Sequence, residues 1–161
     1  MNNKKNAYLG LFAAVAIIFG YVESLFPFFA GIPGIKLGLA NLAVLFILET
    51  YTWKEAAVVS AVRIVVIGFL LGNMFTIIYS LAGAALSLFV MTLMKKSSGF
   101  SILGISVAGG VSHNIGQLMV AALIVENTSL LYYAPVLLIS GVITGLLIGI
   151  LTKEVTKRIH L

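Results

Sequence analysis

Long apolar runs separated by short polar or glycine-containing joints make up almost the whole chain. These runs predict helices at about 7–29, 37–50, 54–71, 74–94, 102–125 and 132–152. A helix needs roughly 20 apolar residues to cross about 30 Å of hydrocarbon. The pattern therefore predicts an all-α integral membrane bundle of six transmembrane helices, with residues 1–161 forming a single transmembrane domain. The second run is short for a full crossing. It is entered through "GIPGIK", where Gly31, Pro33 and Gly34 forbid regular helix, so a structured loop is expected there.

Composition supports this reading. Hydrophobic residues make up 61% of the chain and charged residues 9%, with a mean hydropathy of +1.15; soluble domains carry about 25% charged residues. The basic start at Asn2–Lys5 is followed by no small-residue cleavage pattern, so the first run reads as a retained helix and not as a secretory leader.

Charge sets an expected orientation. With six crossings, Lys4, Lys5, Lys54, Lys95, Lys96, Lys153, Lys157 and Arg158 all fall on one side, which the positive-inside rule makes cytoplasmic together with both termini. Lys36 and Arg63 are the exceptions. The net charge of +5 then reflects topology and contact with anionic lipids, not nucleic-acid binding.

Small residues recur at helix-packing spacing. Gly141, Gly145 and Gly149 repeat every fourth residue, and the first helix carries Gly10, Ala13, Ala14 and Gly20. Such stripes let helix backbones approach closely in lipid, either inside the bundle or against another membrane subunit.

The polar residues inside the apolar runs are the candidate chemistry. An ionisable group within a transmembrane helix costs at least about 2.5–3.5 kcal/mol on insertion scales. Arg63 sits about 12–14 Å from either end of its predicted helix, beyond the full reach of snorkelling, and so requires an internal partner or a ligand. Counted from the predicted outer ends, Arg63 and Gln117 lie about 12 Å deep, Glu23 and Asn41 about 6–9 Å, and His113 about 18 Å. His113, Asn114 and Gln117 share one face of the fifth helix. Lys36, Asn41, Arg63, His113, Asn114, Gln117 and Glu23 are thus candidates to bind a substrate in one outward-opening cavity. Structural alternatives stand beside this. Glu23 is also placed to neutralise Arg63 as a buried ion pair, His113 and Asn114 to bond between helices, and Lys36 to be a solvated loop lysine.

A ligand held by Arg63, Lys36 and His113 would be anionic, because guanidinium and ammonium groups recognise carboxylate or phosphate. Phe26, Phe28, Phe29, Tyr79, Tyr132 and Tyr133 would suit a ring or prenyl-like body, or form the interfacial aromatic belt. Catalysis is poorly supported. Aspartate is absent, so no cluster exists to hold Mg²⁺ on a diphosphate. Cysteine is absent too, and His113 and His160 fall at different depths, which leaves no metal-ligand set and no call for a cofactor. No nucleotide-binding glycine motif is present, so the chain does not power transport alone.

Five stretches carry a family resemblance: "IPGIKLGLANLAVLFIL" (32–48), "EAAVVSAVRIVVIGFLLGN" (55–73), "YSLAGAALSLFVM" (79–91), "GISVAGGVSHNIGQLMVA" (104–121) and "YYAPVLLISGVITGLLIG" (132–149). They resemble the bacterial membrane family labelled heptaprenyl diphosphate synthase component I, also called the Gx transporter family. That family is similar to the S components of energy-coupling factor (ECF) transporters, which implies a substrate-binding component in the bacterial cytoplasmic membrane. Its partners would be an ECF-type transmembrane coupling subunit and ATPase subunits. By position, the resemblance implies a lid around Pro33 and Lys36, a docking surface at Gly10, Ala13, Ala14 and Gly20, and a pocket drawing on Asn41, Arg63, Asn114 and Gln117. The implied ligand is an amphiphilic anion such as a quinone or prenyl precursor or a vitamin-like compound. The family label implies an alternative, a non-catalytic membrane partner of a prenyl diphosphate synthase in quinone side-chain synthesis.

Overall fold

A computed structural model describes residues 3–25, 38–97 and 99–159. These residues form six α-helices: α1 (Asn3–Leu25), α2 (Leu39–Thr50), α3 (Trp53–Leu71), α4 (Met74–Lys96), α5 (Ile102–Val125) and α6 (Ala134–Arg158), with a 3₁₀ helix at Thr128–Tyr133. Local capping explains several starts. The Thr52 hydroxyl accepts from Lys54 N at 3.3 Å while Glu55 reaches back to Thr52 N, a capping box that opens α3. Asn73 caps α4 through Thr76 N at 2.9 Å, and Ser101 caps α5 through Gly104 N at 3.2 Å.

Neighbouring helices run α1, α3, α4, α5, α6 around the bundle, and α2 touches α1, α3 and α6. α2 is apolar between Asn41 in its first turn and Glu49 and Thr50 in its last, and Ala40 and Ala43 through Leu48 are all buried. A helix without a polar face has nothing to turn toward solvent and belongs inside. At 12 residues it is about 18 Å long, too short to span.

Four helices are long and apolar enough to cross a membrane: α1, α4, α5 and the unit from Thr128 to Arg158. The expectation of six crossings is therefore met on length and composition by four. α2 is short, and α3 carries Lys54, Glu55 and Arg63 within 19 residues. α1 begins at Asn3, earlier than the expected 7, and its expected end at 29 lies outside the described residues; α6 starts at Ala134 and continues through its basic last turn to Arg158. The "GIPGIK" loop with Lys36, the residues Phe26, Phe28 and Phe29, and His160 lie outside the described residues.

The α5–α6 contact explains the glycine stripe. A Cβ on Gly145 would lie 2.7 Å from Val107 Cα, and one on Gly149 would lie 3.0 Å from Leu103 Cα. Gly141 meets the Gly110 carbonyl at 3.0 Å in the same way. This stripe therefore packs inside the bundle, where the two backbones touch because no side chain intervenes. The α1 set splits. Ala13 packs against the core and Gly20 faces Ile67, whereas Gly10 has nothing within 4 Å and Ala14 is exposed.

Helix polarity divides the bundle into two halves. A hydrophobic core draws on all six helices, including Ala16, Val44, Leu48, Val59, Leu88, Met91, Ile105 and Ile148. The start of α1 meets the start of α3 through a Lys5–Glu55 ion pair, and Lys95 at the end of α4 donates to the Leu48 and Glu49 carbonyls at the end of α2. A cation at a helix C-terminus satisfies the last carbonyls and the dipole together. Every described Lys and Arg except Arg63 belongs to this end. The opposite half holds the polar residues.

Candidate functional site

Arg63 projects from the middle of α3 toward α2, where its Nη2 donates to Asn41 Oδ1 at 2.6 Å. Its Nε is buried and has no hydrogen-bond partner among the described residues. Asn41 is the polar position in the first turn of α2, next to the long apolar run that ends at Leu48.

Glu23 does not pair with Arg63. Its Oε1 accepts from Gly38 N and, at 3.3 Å, from Leu39 N. Gly38 has φ 76°, a left-handed conformation that suits glycine, and it offers no side chain to cap α2. The α2 N-terminus presents unsatisfied amides and the positive end of the helix dipole, so a carboxylate delivered by α1 takes the place of a local cap. Ion pairs among the described residues are Lys5–Glu55, Lys95–Glu49 and Lys157–Glu154. The Arg63–Glu23 ion pair considered from the sequence is not formed.

Both residues line one cavity of about 140 Å³ in the half of the bundle away from the basic belt. α5 contributes Gly110, His113, Asn114 and Gln117; α4 contributes Thr76 and Ser80; α6 contributes Thr144. Along α3, Ile64, Ile67 and Leu71 supply an apolar strip beside Arg63. Two amides are tethered to the bundle. Asn114 Nδ2 donates to the Leu137 carbonyl at 2.7 Å and lies 3.3 Å from Ser140 Oγ, and Gln117 Nε2 donates to Ser80 Oγ at 3.3 Å. Gly83 makes room for this wall, since a Cβ there would lie 2.6 Å from Gln117 Cγ and 2.7 Å from the His113 carbonyl oxygen.

Residues 12–155 match the family model described as heptaprenyl diphosphate synthase component I. The chain belongs to this family. No curated protein and no solved structure gives a significant match. The match to the component I family extends from α1 through α6 and so includes every described residue that lines the cavity.

Six of the seven polar candidates of this component I chain, Glu23, Asn41, Arg63, His113, Asn114 and Gln117, line the same cavity. The seventh, Lys36, lies outside the described residues. Tyr79, Tyr132 and Tyr133 are not among the lining residues, and Tyr132 is 86% exposed. Thr76, Ser80 and Thr144 line the cavity without having been singled out from the sequence. The signal for Thr144 was its place between Gly141 and Gly145, and that for Thr76 and Ser80 their i, i+4 spacing on one helix face. Among the described residues no group of three His, Cys, Asp or Glu is placed to hold a metal ion.

Proposed function

We propose that this component I family member is the ligand-binding membrane component of a small-molecule uptake system and that its cargo is a small anion. The observation that carries the reading is the state of Arg63. It faces a polar cavity and, among the described residues, is bonded only to a neutral amide oxygen, because the carboxylate that shares the cavity is committed to the α2 N-terminus. A buried guanidinium with no carboxylate bonded to it keeps donors unused in a low-dielectric setting, and an anionic ligand supplies an acceptor for them.

The cavity lies away from the basic belt, and with that belt cytoplasmic by the positive-inside rule, both termini are inside and the ligand enters from outside. Energy would come from separate ATPase subunits through a membrane coupling subunit. The face of α1 that includes Gly10 and Ala14 supplies small, exposed positions for that contact.

The family match favours a second reading, a membrane partner of a prenyl diphosphate synthase. Native mass spectrometry of the detergent-purified chain beside Arg63→Ala separates the two. A small molecule retained by the parent and lost in the variant supports the binding component. No retained molecule, together with co-purification of a soluble synthase subunit from the native membrane, would favour the synthase partner.

A further inference from the structure

Resting on the binding-component reading, we infer that the ligand is a compact monocarboxylate bearing hydroxyl or amino donors, and not a prenylated, aromatic or diphosphate compound. Three features of the cavity lead there.

The first is volume. The cavity measures about 140 Å³, and a cavity near 150 Å³ holds a molecule of roughly six heavy atoms. A chain of seven isoprene units exceeds that several times over. The apolar strip of Ile64, Ile67 and Leu71 suits a short branched alkyl group, and no Phe, Tyr or Trp is among the described lining residues.

The second is charge. Arg63 is the cation and Glu23 the anion among the described lining residues. One carboxylate is matched by one guanidinium, through the Nη that Asn41 does not use. A diphosphate would bring further negative charges beside Glu23 with no second cation among the described lining residues to balance them, and burying unbalanced charge is strongly unfavourable.

The third is the direction of the hydrogen bonds. The Leu137 carbonyl can only accept, so it fixes the Asn114 amide with Nδ2 toward α6 and leaves Oδ1 as its remaining polar atom. Gln117 places Nε2 on the Ser80 hydroxyl and keeps Oε1 together with a second N–H. On the Asn114 side the α5 wall therefore offers an acceptor, which favours a ligand that donates. A hydroxyl or ammonium group satisfies it, and a bare hydrocarbon acid does not.

The test is mass spectrometry of the small molecules released from the purified full-length parent and Arg63→Gln proteins. It is paired with thermal unfolding in detergent in the presence of 2-hydroxyisovalerate, threonine, isovalerate, geranyl diphosphate or menadione. Arg63→Gln removes a charge from an apolar setting and so does not oppose membrane insertion. The expected result is an Arg63-dependent monoacid below about 200 Da that carries a hydroxyl or amino group. It should bind roughly 10- to 100-fold more weakly to Arg63→Gln, and a donor-bearing probe should stabilise the parent more than isovalerate does. An Arg63-dependent molecule that is prenylated, aromatic or a diphosphate, or stabilisation by geranyl diphosphate or menadione alone, overturns the ligand class and leaves the binding reading standing. No Arg63-dependent molecule and no stabilisation by any probe overturns both.

Discussion

Arg63 donates to Asn41 at 2.6 Å while Glu23, in the same cavity, is bound to the first amides of α2. The Asn41 carboxamide oxygen and the Glu23 carboxylate are thereby sorted between the guanidinium and the α2 N-terminus. α2 takes the stronger acceptor for its exposed amides, and the buried guanidinium is left with the weaker one.

This arrangement predicts the effect of Asn41→Leu. Removing the acceptor leaves Nη2 as well as Nε without a protein partner, and a buried donor on a charged group that loses its bond costs about 1–3 kcal/mol. Unfolding in detergent should show that loss in the parent and little of it in an Arg63→Gln background. Equal losses in both backgrounds would mean that Asn41 supports α2 by some other contact.

Glu23 should behave as a cap. Glu23→Leu is expected to destabilise the fold by about 1–2 kcal/mol, and Glu23→Gln by less, because an amide oxygen still accepts from Gly38 N and Leu39 N but carries no charge for the helix dipole. Hydrogen exchange at the first turn of α2 would report the change locally. Unchanged protection there in Glu23→Leu would contradict the capping role.

The two small-residue stripes should separate in a paired substitution. Gly145→Val drives a side chain into backbone at Val107 and Ser106, and overpacking of this kind costs about 1–3 kcal/mol or more, seen as a lowered unfolding temperature. Gly10→Val meets open space and should leave stability unchanged. If α1 docks a coupling subunit, Gly10→Val loses co-purification with that subunit while Gly145→Val loses the folded chain.

Orientation is open to direct measurement because the chain contains no cysteine. Ser97 follows α4 at the basic end and Ser129 follows α5 at the cavity end; both are exposed. With the basic belt inside, a membrane-impermeant maleimide added to intact cells should label Ser129→Cys, and should reach Ser97→Cys only after permeabilisation. The reverse pattern would place the cavity on the cytoplasmic side and remove the basis for uptake from outside.

The starts of α3, α4 and α5 were legible in the chain because these apolar runs are preceded by residues that start a helix on local grounds, Thr52 with Glu55, Asn73 and Ser101. The gathering of Arg63, His113, Asn114 and Gln117 was legible as well. Depth follows from a fixed rise per residue, and intramembrane polar groups have few places to go.

Partner choice was not legible. Whether Glu23 meets Arg63 or the α2 amides depends on how closely α1 approaches α2, a distance that neither segment encodes alone. The burial of α2 on all sides, the pairing of the Gly141 stripe with α5, the tethering of Asn114 to Leu137 and the small volume of the cavity likewise came from packing among helices distant in sequence. Sequence by itself determined which residues are too polar for lipid and how deep they lie, because hydropathy and helical rise are local properties. Only the tertiary structure decided which of them bond to each other and which face the cavity, because a hydrogen bond is settled by tenths of an ångström between side chains that the chain order leaves far apart.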